Sequence, residues 1–65
     1  MEKGDKLICL YNIDNFFGQP LFVENQIYTV LDVSDDEVCL DHTLYANEYS
    51  YFETKWVLEN FKKIQ

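Results

Sequence analysis

Apolar and polar positions alternate with a period of two through several short stretches of the chain, a spacing that predicts strands. Lys6–Tyr11 (KLICLY) places Leu7, Cys9 and Tyr11 on one face and Ile8 and Leu10 on the other, a short strand with much of both faces covered. Gln26–Val33 (QIYTVLDV) is rich in β-branched and aromatic residues. The polar trio Ser34, Asp35 and Asp36 separates it from Glu37–Leu40 (EVCL), which predicts a hairpin with an acidic tip. Glu48–Thr54 (EYSYFET) forms a third long strand, with Tyr49 and Tyr51 opposite Ser50 and Phe52. Asn12–Gln19 (NIDNFFGQ) collects Asn, Asp and Gly and reads as a long loop carrying two adjacent rings, and Asp41–Asn47 is a second connection. Lys55–Ile64 (KWVLENFKKI) holds one helical turn at Val57–Asn60, too short to stand as an independent helix. There is no repeat or linker, so one unit is expected over residues 1–65. The expected fold class is all-β: a small barrel of four to five antiparallel strands with one short helical turn near the C-terminus, a closure that leaves few strand edges open.

The order of these elements resembles the SH3-like barrel. Leu10-Tyr11-Asn12-Ile13-Asp14 looks like the ALYDY segment of that family, Gln26-Ile27-Tyr28-Thr29-Val30-Leu31 like its second strand, and Trp56-Val57-Leu58-Glu59-Asn60-Phe61 like its closing turn and strand. SH3 domains of eukaryotes grip proline-rich ligands in an aromatic-lined groove, using a Trp after the acidic hairpin tip and a Pro in the helical turn. This chain has Val38-Cys39 and Leu58 at those places, which argues against a proline-ligand function. It looks closer to the short single-domain SH3-like proteins of bacteria and their phages. Fold resemblance alone does not assign a function.

Charge sharpens the picture. Twelve acids and five lysines give a formal net charge of -7. Lys3, Lys6, Lys55, Lys62 and Lys63 lie near the ends, whereas no Lys or Arg occurs between Leu7 and Thr54. That stretch carries nine acids: Asp14, Glu24, Asp32, Asp35, Asp36, Glu37, Asp41, Glu48 and Glu53. Direct nucleic-acid binding needs clustered cations to neutralise phosphates, so it is not expected. If the first and last strands adjoin, the lysines should gather on one side and leave the rest acidic.

Composition is that of a folding chain, 48% hydrophobic and 17% aromatic, although a domain this small buries only about 60% of its unfolded surface. Eleven large rings exceed what so small a core needs, which leaves some for contact with a partner or a second copy. Cys9 and Cys39 lie in apolar strand patterns without a C-x-x-C pair, and read as buried small hydrophobes more readily than as a disulfide. The N-terminal MEKGDKLICLYNID lacks the apolar stretch and cleavage site of a signal peptide, and no run approaches the ~20 residues of a membrane span. The expected compartment is the cytoplasm, that of the bacterial host if the chain is phage-encoded.

Catalytic material is scarce. His42 is the only histidine, and a thiol nucleophile would have to come from cysteines that face a core. Carboxylates working as an acid and base pair need a pocket that separates their pKa values, for which a 65-residue barrel has little volume. The acidic run Asp32–Glu37 lacks the Gly and the spacing of a calcium loop, and no zinc pattern exists. Neither cofactor nor metal is expected. Tyr28, Phe52, Val57 and Phe61 are the core candidates. Phe16 and Phe17 either project outward or fold together over one end of the barrel. With Tyr45, Tyr49, Tyr51 and Trp56 they are the candidate partner-binding rings, and Asp32, Asp35, Asp36, Glu37 and Asp41 the candidate partner-binding acids. Surface rings beside carboxylates also suit a quaternary or methylated ammonium group.

These features favour a non-enzymatic protein-binding module, a small phage or bacterial regulator or inhibitor acting on a larger protein with a basic surface. The alternatives are an acidic nucleic-acid mimic, which needs a contiguous row of carboxylates free of lysine, and a self-associating structural protein whose rings form a homodimer contact.

Overall fold

A computed structural model of the chain describes residues 1–41 and 51–64. Among the described residues, seven strands and one helix follow in the order β1 (Lys6–Cys9), β2 (Ile13–Asp14), β3 (Pro20–Phe22), β4 (Ile27–Val33), β5 (Glu37–Leu40), β6 (Tyr51–Glu53), α1 (Thr54–Asn60) and β7 (Phe61–Lys63). Five strands make one curled antiparallel sheet in the order β6-β5-β4-β1-β7, and β2 pairs with β3 in a separate arm. The fold is therefore mostly β with one short helix near the C-terminus, and its small curled sheet is compatible with an SH3-like barrel.

The sheet curls because β4 serves two neighbours. Its first half pairs with β1 (Lys6↔Thr29, Leu7↔Tyr28, Ile8↔Ile27) and its second half with β5 (Val30↔Leu40, Asp32↔Cys39, Val33↔Val38). Between Val30 and Asp32 the register slips by one residue, and such a bulge bends the strand and raises its twist. The first and last strands do adjoin, with Leu7 opposite Lys63 and Cys9 opposite Phe61.

Leu7, Cys9, Phe22, Val30, Val38, Leu40, Val57 and Phe61 form the buried core. Phe22 is its centre, with the rings of Tyr28, Phe52 and Phe61 edge-on at 5.0, 5.4 and 5.1 Å and the Trp56 ring tilted at 6.4 Å. Edge-to-face contacts of this kind add about 0.5–1.5 kcal/mol each beyond area burial. The expected core residues Tyr28, Phe52, Val57 and Phe61 all pack here. Phe22, which lies in none of the expected strands, is the residue around which they assemble. Both cysteines are buried free thiols, and burial pushes the Cys9 thiol up from its usual range.

Three local expectations need correction. The first strand ends at Cys9, not Tyr11, because the Cys9 amide and carbonyl already pair with Gln26 and Asn25 and the chain then bends outward; Tyr11 is exposed. The loop over residues 12–19 contains a two-residue strand, Ile13–Asp14, which pairs with β3 and makes the rest of the loop the tip of a hairpin arm, with Ile13 opposite Phe22 at its base. The helix begins at Thr54, three residues earlier than expected, where the Thr54 amide donates to the Asp36 carbonyl at 2.8 Å and Trp56 and Val57 turn toward the core. The expected connection at 41–47, His42 and the start of the third long strand lie largely or wholly outside the described residues. No helix among the described residues is long and apolar enough to cross a membrane.

Candidate functional site

Two features project from this scaffold, one apolar and one acidic. The apolar one is the tip of the β2–β3 arm. Phe16 and Phe17 stand 97% and 82% exposed, their rings edge-on with centroids 5.7 Å apart. Asn15 builds the turn that carries them: its Oδ1 accepts from the Phe17 and Gln19 amides at 2.8 Å each, and its Nδ2 donates to Gln19 Oε1 at 2.9 Å. The Gly18 amide donates to the Asn15 carbonyl at 3.0 Å, with Gly18 in the left-handed region at φ +79°, which a side chain would strain. The asparagine side chain thus closes a turn on its own backbone, and the two rings are held outward by a structured element.

The acidic feature is a groove where the β4–β5 tip meets β6 and α1. Glu37, Tyr51, Phe52, Glu53, Lys55, Trp56 and Glu59 border an open depression of about 510 Å³. Its neighbour, about 660 Å³, continues along Ser34, Asp35, Asp36 and Thr54 and shares Glu37, Glu53 and Lys55. Glu37 stands directly opposite Glu53 across β5 and β6, a like-charge pair that disfavours the pairing. Behind them the Phe52 and Trp56 rings stack, 5.3 Å apart and within 24° of parallel.

Farther along the sheet, Asp32, Cys39 and Tyr51 lie abreast on β4, β5 and β6. The Tyr51 hydroxyl donates to the Asp32 carboxylate. That bond, with the Val33 backbone second, holds Asp32 below the usual carboxylate range, and the same bond raises Tyr51 above the usual tyrosine range. Lys3 shares this corner with Asp32, Leu31, Cys39 and Tyr51.

Of the sequence-derived candidates, Asp35, Asp36, Glu37, Tyr51 and Trp56 meet at the groove, with Asp32 bound to Tyr51 at its side. Phe16 and Phe17 stand apart from these on the β2–β3 arm. Trp56 is half-buried against the core and presents only part of its ring. Asp41 is half-buried and structural in its contacts, since its carboxylate accepts from the Thr29 amide while its own amide donates to the Thr29 carbonyl. Tyr45 and Tyr49 lie outside the described residues. Glu53 and Glu59 were absent from the sequence-derived set; only the pairing of β6 with β5 and the early helix start bring them to the groove.

The lysines do not gather on one side. Lys6, Lys62 and Lys63 follow the adjoining β1 and β7, but Lys55 stands in the acidic groove and Lys3 beside Asp32. A stretch free of lysine in sequence is thus interspersed with lysine in space. Among the described residues, no group of three or more His, Cys, Asp or Glu is placed to hold a metal ion. No protein-family model, curated protein or solved structure matches the chain.

Proposed function

We propose that this chain is a non-enzymatic protein-binding module on an SH3-like barrel, attaching to a larger partner with a basic surface as a small bacterial or phage regulator or inhibitor in the cytoplasm. The observation that carries the reading is the pair Phe16 and Phe17, almost wholly exposed on a turn tied by the side chain of Asn15. Burying a Phe ring recovers about 1.5–3 kcal/mol, the scale of the residues that dominate interfaces, and a pre-formed turn lowers the ordering cost of docking. The net charge of -7 speeds encounter with a cationic partner and adds specificity more than affinity. The place of the proline-groove Trp is taken by buried Val38 and Cys39, and that of the Pro by the exposed Leu58.

Affinity capture from bacterial lysate tests this, comparing the native chain with a Phe16→Ala/Phe17→Ala variant whose amide spectrum shows the fold intact. Capture of a partner by the native chain, reduced at least tenfold in the variant and weakened by salt, is expected. Capture indifferent to both the rings and the salt would remove the proposed role. Nucleic-acid mimicry ranks below this reading because Lys55 and Lys3 stand among the carboxylates. Self-association predicts a sedimentation coefficient that rises with protein concentration.

A further inference from the structure

We infer that the outer face of β7, β1 and the first half of β4 is a docking surface for a second copy of this chain, whose acidic β4–β5 tip seats on it head to tail. The contact goes beyond the partner-binding role and uses none of the rings that carry it.

The strand registers define the face. Leu7, Val30 and Phe61 are buried in the core, so the alternate residues of the same strands lie on the other side of the sheet. Lys62, Ile8 and Ile27 stand there in one row across β7, β1 and β4. Ile64, Lys6 and Thr29 make the next row, where the Ile64 amide donates to the Lys6 carbonyl at 3.0 Å and Lys6 Nζ donates to Thr29 Oγ1 at 2.7 Å. Ile27 is 58% exposed, Ile64 48%, and Lys62 is exposed beside them. A chain of twelve acids and five lysines thus places three isoleucines, two lysines and no carboxylate in these two rows. Asp41 borders the second row, but its carboxylate already accepts from the Thr29 amide. An apolar sheet face framed by cations, in a molecule of net charge -7, suits an occupant that is partly apolar and anionic.

The chain carries such a surface itself. At the far end of β4, Asp35, Asp36, Glu37 and Glu53 border a depression of about 660 Å³ together with Lys55, an excess of carboxylates over cations. Tyr51, 43% exposed and on the same face of β6 as Glu53, adds apolar area next to it. Glu37 and Glu53 stand opposite each other, and a lysine from another copy relieves that repulsion. Ile27 and Val33 end the seven-residue β4, about 20 Å apart by strand rise, and the bulge between Val30 and Asp32 turns the two halves of the strand in different directions. One copy therefore cannot close on itself. The contact is heterologous, made by different patches on the two copies, and it propagates head to tail. At an ionic strength of roughly 0.1 M the screening length is about 10 Å, so the touching pairs outlast the repulsion between whole molecules.

Sedimentation equilibrium of the whole chain in roughly 0.1 M sodium chloride tests the contact. The weight-average mass should rise with concentration and pass that of a dimer without a plateau. Lys62→Glu and Glu53→Lys, both at exposed positions, should each weaken association at least tenfold, and Ile27→Ser about fivefold. Mixing Lys62→Glu with Glu53→Lys should restore association, because each variant brings the surface that the other lacks. This rescue also shows that neither variant failed merely by unfolding. A native chain that stays monomeric at every concentration overturns the proposal, and a mixture that associates no better than its two components does the same. A plateau at the dimer overturns the head-to-tail order. Association lost in Phe16→Ala/Phe17→Ala but kept in Lys62→Glu moves the contact to the β2–β3 arm and overturns this face. Binding of a monomeric chain to phosphatidylglycerol vesicles, lost in Lys62→Glu, overturns the second copy as the occupant. The capture of a partner through Phe16 and Phe17 is read separately, so either role can fall while the other stands.

Discussion

The bond from the Tyr51 hydroxyl to the Asp32 carboxylate joins β6 to β4 over the buried Cys39, and its chemistry has a definite sign. Only the neutral phenol donates and only the ionised carboxylate accepts well, so folding raises the Tyr51 pKa and lowers that of Asp32. For Asp32 the contribution to stability is present above the unfolded value of about 3.9 and is lost as the pH falls through the folded value. For Tyr51 it is present below the unfolded value of about 10 and is lost as the pH rises through the folded one. The contact is thus intact on a plateau between these limits. We expect tyrosinate absorbance to show Tyr51 ionising at higher pH than an exposed tyrosine, and Asp32→Ala to bring it back toward the ordinary value. A titration unmoved by Asp32→Ala would mean that another neighbour sets the shift. The pairing itself was not legible from sequence: Asp32 and Tyr51 each carried a surface role, but a bulge at Leu31 and the stacking of three strands decide that they touch.

At the scale of elements, the strands rich in β-branched and aromatic residues were legible. Ile27–Val33, Glu37–Leu40 and the hairpin between them fall where that enrichment and the polar trio put them, because such side chains pack well on a pleated, partly buried surface and polar residues favour the turn. What escaped was the β2–β3 arm. Its strands are two and three residues long, too short for alternation to show, and the turn residues of Asn12–Gln19 dominate the pattern. Yet this arm supplies Phe22 to the centre of the core and holds Phe16 and Phe17 outside it. The apolar run Leu21-Phe22-Val23 was the available signal, masked by the adjacent Pro20. The helix start was misread for a related reason, since the Asp36 carbonyl that receives the Thr54 amide is distant in sequence. The arm also makes a prediction of its own. Asn15→Ala removes the acceptor of two amides, each such bond being worth about 0.5–1.5 kcal/mol net. Hydrogen exchange at Phe17 and Gln19 should therefore quicken by about tenfold while the core amides of Val30 and Leu40 keep their protection. Uniform acceleration across all four would show that the turn opens only with the whole domain.

For the whole molecule the deciding quantity is the reach of its charge against its size. The described fold extends 29 × 22 × 18 Å, and the chain carries a net charge of -7, with Lys63 and Asp5 forming the ion pair among the described residues. At an ionic strength of roughly 0.01 M the screening length is about 30 Å, so every carboxylate feels every other; at 0.1 M it is about 10 Å, and only neighbours interact. Self-repulsion across a compact acidic fold destabilises it, and the effect adds to the marginal stability of so small a core. The melting temperature should accordingly rise as potassium chloride is raised from roughly 0.01 M to 0.2 M, with most of the gain below 0.1 M, where the screening length passes through the molecular dimensions. Glu53→Lys tests where that repulsion is most concentrated. It converts the like pair Glu37↔Glu53 into an opposite one on exposed strands, so it should raise the melting temperature by about 2–4 °C at low salt and flatten the salt dependence. A higher melting temperature in the variant would show that the opposed carboxylates are held at a cost to folding. A melting temperature lowered by Glu53→Lys would instead place the dominant repulsion elsewhere on the surface.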